Sequence, residues 1–154
     1  MTRLGVGDKA PLFTLKDHDG TNVALKDFVG RRVVLYFYPA DDTPGCTKEA
    51  CQFNDQLSSF KKLDVALLGV SPDDAGTHVA FRAKYGLNFP LLSDPQKSVM
   101  AKYGAFGEKM LYGKKVMGVI RSTFVIGPNG KIEHAFYAVR ADGHAERVLS
   151  KLSD

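Results

Sequence analysis

Arg32-Val33-Val34-Leu35-Tyr36-Phe37-Tyr38 runs into Pro39-Ala40-Asp41-Asp42-Thr43-Pro44-Gly45-Cys46, and this junction decides the fold. The first half is an unbroken apolar run rich in β-branched and aromatic residues, the pattern of a strand buried on both faces, and Pro39 stops it. After Ala40 to Gly45, residues 47–62 carry helical spacing, with Ala50, Phe53, Leu57 and Phe60 on one side. A buried strand, a short loop and an amphipathic helix therefore follow one another, with Cys46 in or beside the first helical turn.

Downstream, Val65 to Val70 reads as a second buried strand that ends in the helix-start cluster Ser71-Pro72-Asp73-Asp74. The helix it opens continues to about Tyr85 and ends near Gly86. Phe89 to Leu92 is a short strand and Lys97 to Tyr103 a short helix. Thr123 to Ile126 and Lys131 to Phe136 form a hairpin around Pro128-Asn129-Gly130, and a last helix spans about Asp142 to Leu152. Upstream, Phe13-Thr14-Leu15 and Val23-Ala24-Leu25 flank the turn signal Asp19-Gly20. Alternating strands and helices followed by a hairpin predict an α/β fold: a mixed sheet flanked by helices, with an N-terminal β-hairpin. That is thioredoxin-like architecture. No repeat, linker or low-complexity segment divides the chain, so one domain is expected over residues 1–154.

Composition narrows the function classes. The net charge is +4 and the basic residues are scattered, with Arg31-Arg32, Lys61-Lys62 and Lys114-Lys115 as the densest groups. No run interleaves aromatic with basic residues, which argues against a nucleic-acid surface. Met1 to Gly5 contains no apolar core of signal-peptide length, and no segment is long enough to span a bilayer, so a cytoplasmic home is expected. In such a reducing compartment two cysteines five positions apart read as redox-active or incidental rather than as a static staple. They fall short of a zinc set, which wants four ligands in recognisable spacing.

Cys46 carries the chemistry. Unpaired backbone N–H groups and the helix macrodipole favour an anion in the first turn, and the anion here is a thiolate, the nucleophilic form of cysteine. Thr43, three residues earlier, offers a hydroxyl to the sulfur or to an incoming oxygen, while Pro39 and Pro44 stiffen the approach. Each feature alone is ordinary: a cysteine at such a junction is often a buried filler, and Pro and Thr are common punctuation.

The combination resembles the peroxiredoxins. Pro39, Thr43 and Cys46 reproduce that family's pattern of proline, three residues, threonine, two residues, cysteine. Thr47-Lys48-Glu49-Ala50-Cys51 is similar to the subgroup called peroxiredoxin Q or bacterioferritin comigratory protein. Gly7-Asp8-Lys9-Ala10-Pro11, Gly69-Val70-Ser71, His78 with Phe81, Phe89 to Asp94 and Arg121 to Ile126 extend the likeness over almost the whole chain. Ala40 and Gly127 depart from the residues more common there.

The resemblance implies a thiol-dependent peroxidase acting on hydrogen peroxide and organic hydroperoxides. Cys46 attacks, Cys51 resolves the sulfenic acid as an intramolecular disulfide, and thioredoxin or a similar dithiol recycles it. It further implies Arg121, Thr43 and Pro39 as site residues, a monomer, and no metal or organic cofactor. Glu49 matches a position that orients the arginine, although a first-turn glutamate also serves as simple dipole compensation. In a regular helix, positions i and i+5 stand about 8.6 Å apart at Cα, beyond the ~7 Å a disulfide tolerates, so closing the bond unwinds the helix.

Three other readings compete. A cysteine hydrolase would pair Cys46 with His18, His78, His134 or His144, but no local hydrolase signature surrounds the cysteine. A thioredoxin-like disulfide reductase would carry Cys-x-x-Cys and a proline where Arg121-Ser122 stand. A redox sensor or copper carrier on the same fold would want a shorter pair with His or Met nearby, which Met110 and Met117 do not supply.

Overall fold

The computed structural model describes residues 3–153. A seven-stranded sheet forms the centre, in the order β2-β1-β5-β4-β3-β8-β9, and β6 and β7 make a separate two-stranded ribbon. The junction strand is β3 (Arg32–Phe37), and from Val33 onward none of its residues is more than 1% exposed. It pairs in parallel with β4 (Val65–Ser71) and antiparallel with β8 (Ser122–Ile126), so both its edges and both its faces are covered. β4 pairs in parallel with β5 (Leu91–Ser93), and the N-terminal hairpin β1 (Thr14–Asp17) and β2 (Asn22–Ala24) adds antiparallel to that edge. At the opposite edge β9 (Ile132–Phe136) closes the hairpin with β8. This is the mixed, helix-flanked sheet expected of a thioredoxin-like chain.

Alternate residues of β3 feed two cores. Val33, Leu35 and Phe37 pack with Val99, Met100 and Tyr103 around α4 (Ser98–Lys102). Val34 and Tyr36, continued by Tyr38, pack with Cys46, Ala50 and Phe53 of α1 (Pro44–Asp55), with Phe81 of α3 (Ala75–Tyr85) and with Val148 of α5 (His144–Ser153). Asp74 caps α3 by accepting from the Thr77 N–H, and Gly86 ends it at a left-handed φ of 64°.

The structure corrects one expectation and adds an element for which there was none. The helix expected over residues 47–62 starts three residues earlier, at Pro44, and is two helices, α1 and α2 (Leu57–Lys62), broken at Gln56. Proline suits the first helical position because its missing N–H has no partner there. The break is invisible to periodicity because Phe53, Leu57 and Phe60 stay in one cluster on both sides of it. Second, β6 (Phe106–Leu111) and β7 (Lys114–Val119) pair around Tyr112-Gly113, in a stretch for which the sequence suggests no element. Its large apolar residues Met110, Leu111 and Met117 are exposed, so no buried face stamps a clear alternation on it.

Candidate active site

Thr43 is the N-cap of α1, Pro44 the first helical residue and Cys46 the third. The Thr43 side chain makes no cap bond; its hydroxyl donates to the Ala40 carbonyl at 2.8 Å. The first-turn N–H groups of Gly45 and Cys46 are thus free of the usual side-chain competitor and face the sulfur's end of the helix. Cys46 itself is 1% exposed, a free thiol packed among Tyr36, Tyr38 and Ala50.

Arg121 lies in the connection from β7 to β8, one residue ahead of β8, and the β3–β8 pairing brings it beside the strand that leads into α1. Its Nη2 lies 3.4 Å from Cys46 Sγ, and its Nη1 donates to Glu49 Oε1 at 2.6 Å. Gly45 leaves room for this approach, since a Cβ there would stand 3.1 Å from Nη2 and the guanidinium would have to give by a few tenths of an ångström. Glu49 is fully buried, and it lies past the first turn, so it is the arginine's partner and not a dipole compensator. Its Oε2 has no hydrogen-bond partner, and desolvation pushes its pKa up to about 7 against the pull of Arg121. Burial alone would lower the Arg121 pKa, but the charges of Glu49 and Cys46 and the hydrogen bonds to both raise it, so it stays a cation.

Cys51 sits one and a half turns further along α1, half-buried and free. Burial first, and the charge of Asp55 second, raise its pKa, so in this state it is a thiol. The helix containing both cysteines is continuous, and their separation is the helical one argued from spacing. Pro39 lines a groove of about 530 Å³ together with Arg121, apolar Met110, Val119, Ile120, Ala138 and Val139, and charged Arg3, Glu108 and Lys109.

The structure therefore brings Cys46, Arg121 and Glu49 into contact, puts Thr43 and Pro39 on the connecting loop and groove, and leaves Cys51 apart. Among the described residues all four histidines serve elsewhere: His18 lies against Asp19, His78 meets Asp41 and the Leu92 carbonyl, His134 stacks on Phe136, and His144 meets Thr123. That removes the hydrolase pairing. The buried loop contacts of Asp41 and His78 carry no motif of their own; the sequence marks His78 only through the family likeness it shares with Phe81.

A buried thiol at a helix N-terminus, faced by a guanidinium on a thioredoxin-like sheet, defines the class of thiol-dependent oxidoreductases. The AhpC/TSA family model matches residues 6–135. A Mycobacterium tuberculosis (strain H37Rv) protein provisionally named a peroxiredoxin is 55% identical over 152 residues, 99% of this chain and 97% of its own length. Peroxiredoxin Bcp of Escherichia coli K12 is 44% identical over 154 residues, covering 100% and 99%. Among solved structures, Xanthomonas campestris bacterioferritin comigratory protein, studied for its alkyl peroxide reduction, has a TM-score of 0.87 and 40% identity over 92% of this chain and 90% of its own. A Cys→Ser variant of Xylella fastidiosa PrxQ has a TM-score of 0.92 and 38% identity over 99% and 98%. The chain belongs to the AhpC/TSA family, in its peroxiredoxin Q/bacterioferritin comigratory protein subgroup, and is an oxidoreductase of the thiol peroxidase type.

Proposed function

We propose that this protein reduces hydrogen peroxide and organic hydroperoxides through a Cys46 sulfenic acid that Cys51 resolves. The contact between Arg121 Nη2 and Cys46 Sγ at 3.4 Å carries the reading, because it sets a permanent cation beside the one buried thiol of α1.

The Cys46 thiolate attacks the nearer peroxide oxygen. The S–O bond forms as the O–O bond breaks, sulfur is oxidised by two electrons, and the leaving oxygen takes up the proton released when the thiol ionised. Arg121 donates to the oxygens where negative charge develops, with Glu49 holding its other side. Because the Thr43 hydroxyl spends its hydrogen on Ala40, it offers the peroxide O–H an acceptor. Pro39 and the apolar wall of the groove suit an organic substituent.

Resolution follows when α1 unwinds and Cys51 attacks the sulfenic sulfur, expelling water and leaving a disulfide. Thiolate exchange with thioredoxin or a similar dithiol then supplies two electrons, a chemistry suited to a reducing, cytoplasmic setting. Among the described residues no helix is long and apolar enough to cross a membrane. In this reading the protein works as a monomer, a state compatible with Cys46, Arg121 and Glu49 meeting within one chain.

Peroxide consumption coupled to a thioredoxin system, run on wild type, Cys46→Ser and Cys51→Ser, tests it. Cys46→Ser is expected to be inactive, whereas Cys51→Ser reacts once and then stalls unless a small thiol is added. Full activity in Cys46→Ser defeats the proposal.

A further inference from the structure

The loop that feeds α1 is fastened, at both of its aspartates, to α3. Asp41 Oδ2 stands 2.6 Å from His78 Nδ1, and both side chains are fully buried. The other ring nitrogen, Nε2, lies 3.0 Å from the Leu92 carbonyl oxygen. A carbonyl only accepts, so Nε2 carries a hydrogen. At 2.6 Å a second proton must then lie between Nδ1 and the carboxyl oxygen, because two lone pairs would repel there. Tyr38 donates to Asp41 Oδ1 at 2.6 Å, and the Asp41 N–H donates to Asp73 Oδ2 at 2.7 Å. The next residue, Asp42, has a left-handed φ of 57°, and its carboxylate receives Lys84 Nζ and the Tyr85 hydroxyl at 2.8 Å each.

A second set of ties grips the other end of α1. Gln52 donates to Asp142 Oδ1 and accepts from the Gly143 N–H, each at 2.8 Å. Asn54 joins the Gly86 carbonyl and the Asn88 N–H at 3.0 and 2.9 Å. Between the two, the side-chain hydrogen bonds of residues 43–51 reach only Ala40 and Arg121 among the described residues.

We propose that the Asp41–His78 pair, backed by Asp42 on Lys84 and Tyr85, is a positioning clamp: it fixes the loop that presents Thr43 and confines the unwinding of α1 to residues 43–51. The inference rests on the roles given above to Cys46 and Cys51. His78 is a positioning residue, acting on the substrate through Asp41 and the loop.

Single-turnover oxidation of Cys46 by hydrogen peroxide, set against alkylation of the same thiol by iodoacetamide, tests the clamp. Alkylation reads the availability and accessibility of the thiolate, which both reactions need, while the peroxide step also needs Thr43 in place. A side chain kept only for stability leaves the ratio of the two rates unchanged. His78→Leu is expected to lower that ratio about tenfold or more, within the range that ångström-scale misplacement costs. In Asp41→Asn the amide can donate to Nδ1 while its oxygen accepts from Tyr38, so this variant stays within about threefold of wild type. Should His78→Leu fail to fold, the Lys84→Met/Tyr85→Phe double variant, whose bonds to Asp42 are at the surface, decides by a severalfold drop in the ratio. An unchanged ratio in the variant that folds overturns the clamp. A wild type that consumes no peroxide defeats the functional reading instead. Hydrogen exchange after diamide oxidation then decides the clamp, which is lost if residues 38–42 open together with 43–51.

Discussion

At the scale of single residues, the site depends on a missing side chain as much as on those present. Gly45 has ordinary helical geometry, so its value is the room it leaves: a Cβ would meet Arg121 Nη2 at 3.1 Å, while Nη1 is held by Glu49 at 2.6 Å. The guanidinium cannot retreat without loosening one of its two contacts. Gly45→Ala is therefore expected to slow Cys46 oxidation roughly tenfold, by analogy with small misplacements of a positioned donor. Alanine is the better helix former by about 1 kcal/mol, so the melting temperature should hold or rise. Stopped-flow oxidation beside thermal melts separates the two effects, and a full rate in the alanine variant would show that the arginine does not need this approach. The same residues show what was legible in sequence. Pro39, Thr43 and Cys46 belong to a pattern with fixed spacing; Arg121 is singled out only by the family resemblance, and the use of Glu49 stays open between two roles until its burial and its 2.6 Å contact choose one.

At the scale of elements, buried strands were the most legible and boundaries the least. β3 and β4 are continuous apolar runs and appear where expected, and α3 announces itself by Asp74 and Gly86. The break at Gln56 and the β6–β7 ribbon lack such marks, because the first keeps the helical stripe in register and the second buries little. α5 illustrates a coupling that sequence alone does not reveal. Its first residue, His144, is buried with Nε2 2.7 Å from Thr123 Oγ1 of β8. Burial first, then the charges of Arg147 and Arg121, lower its pKa to about 4. The folded state thus resists a proton that the unfolded chain accepts near pH 6.5. Stability from this group is complete above that value and is lost as pH falls toward 4, up to about 3 kcal/mol in all. Denaturation midpoints of wild type and His144→Gln between pH 7 and pH 4 should converge or cross as acid is added. Parallel curves would mean that His144 titrates equally in both states.

At the scale of the whole molecule, the sheet separates what must stay from what must move. β3 lies between two cores, and only one of them includes α1, so unwinding the helix leaves the core built around α4 and Tyr103 untouched. The cost falls on the other core, where Cys46, Ala50 and Glu49 are each at most 1% exposed and must leave their places for the disulfide to close. Closing a loop this short stabilises the chain by about 2 kcal/mol in the entropy model. Losing a buried thiol, a methyl group, a turn or more of helix and the Arg121–Glu49 pair costs several kcal/mol by comparison. The oxidised protein is therefore expected to melt below the reduced one, the reverse of what a structural disulfide does. Calorimetry of the two redox forms, with Cys51→Ser as the form that cannot close, measures the difference directly. A higher melting temperature on oxidation would mean that the bond forms without dismantling α1, and that the two cysteines meet by some motion other than unwinding.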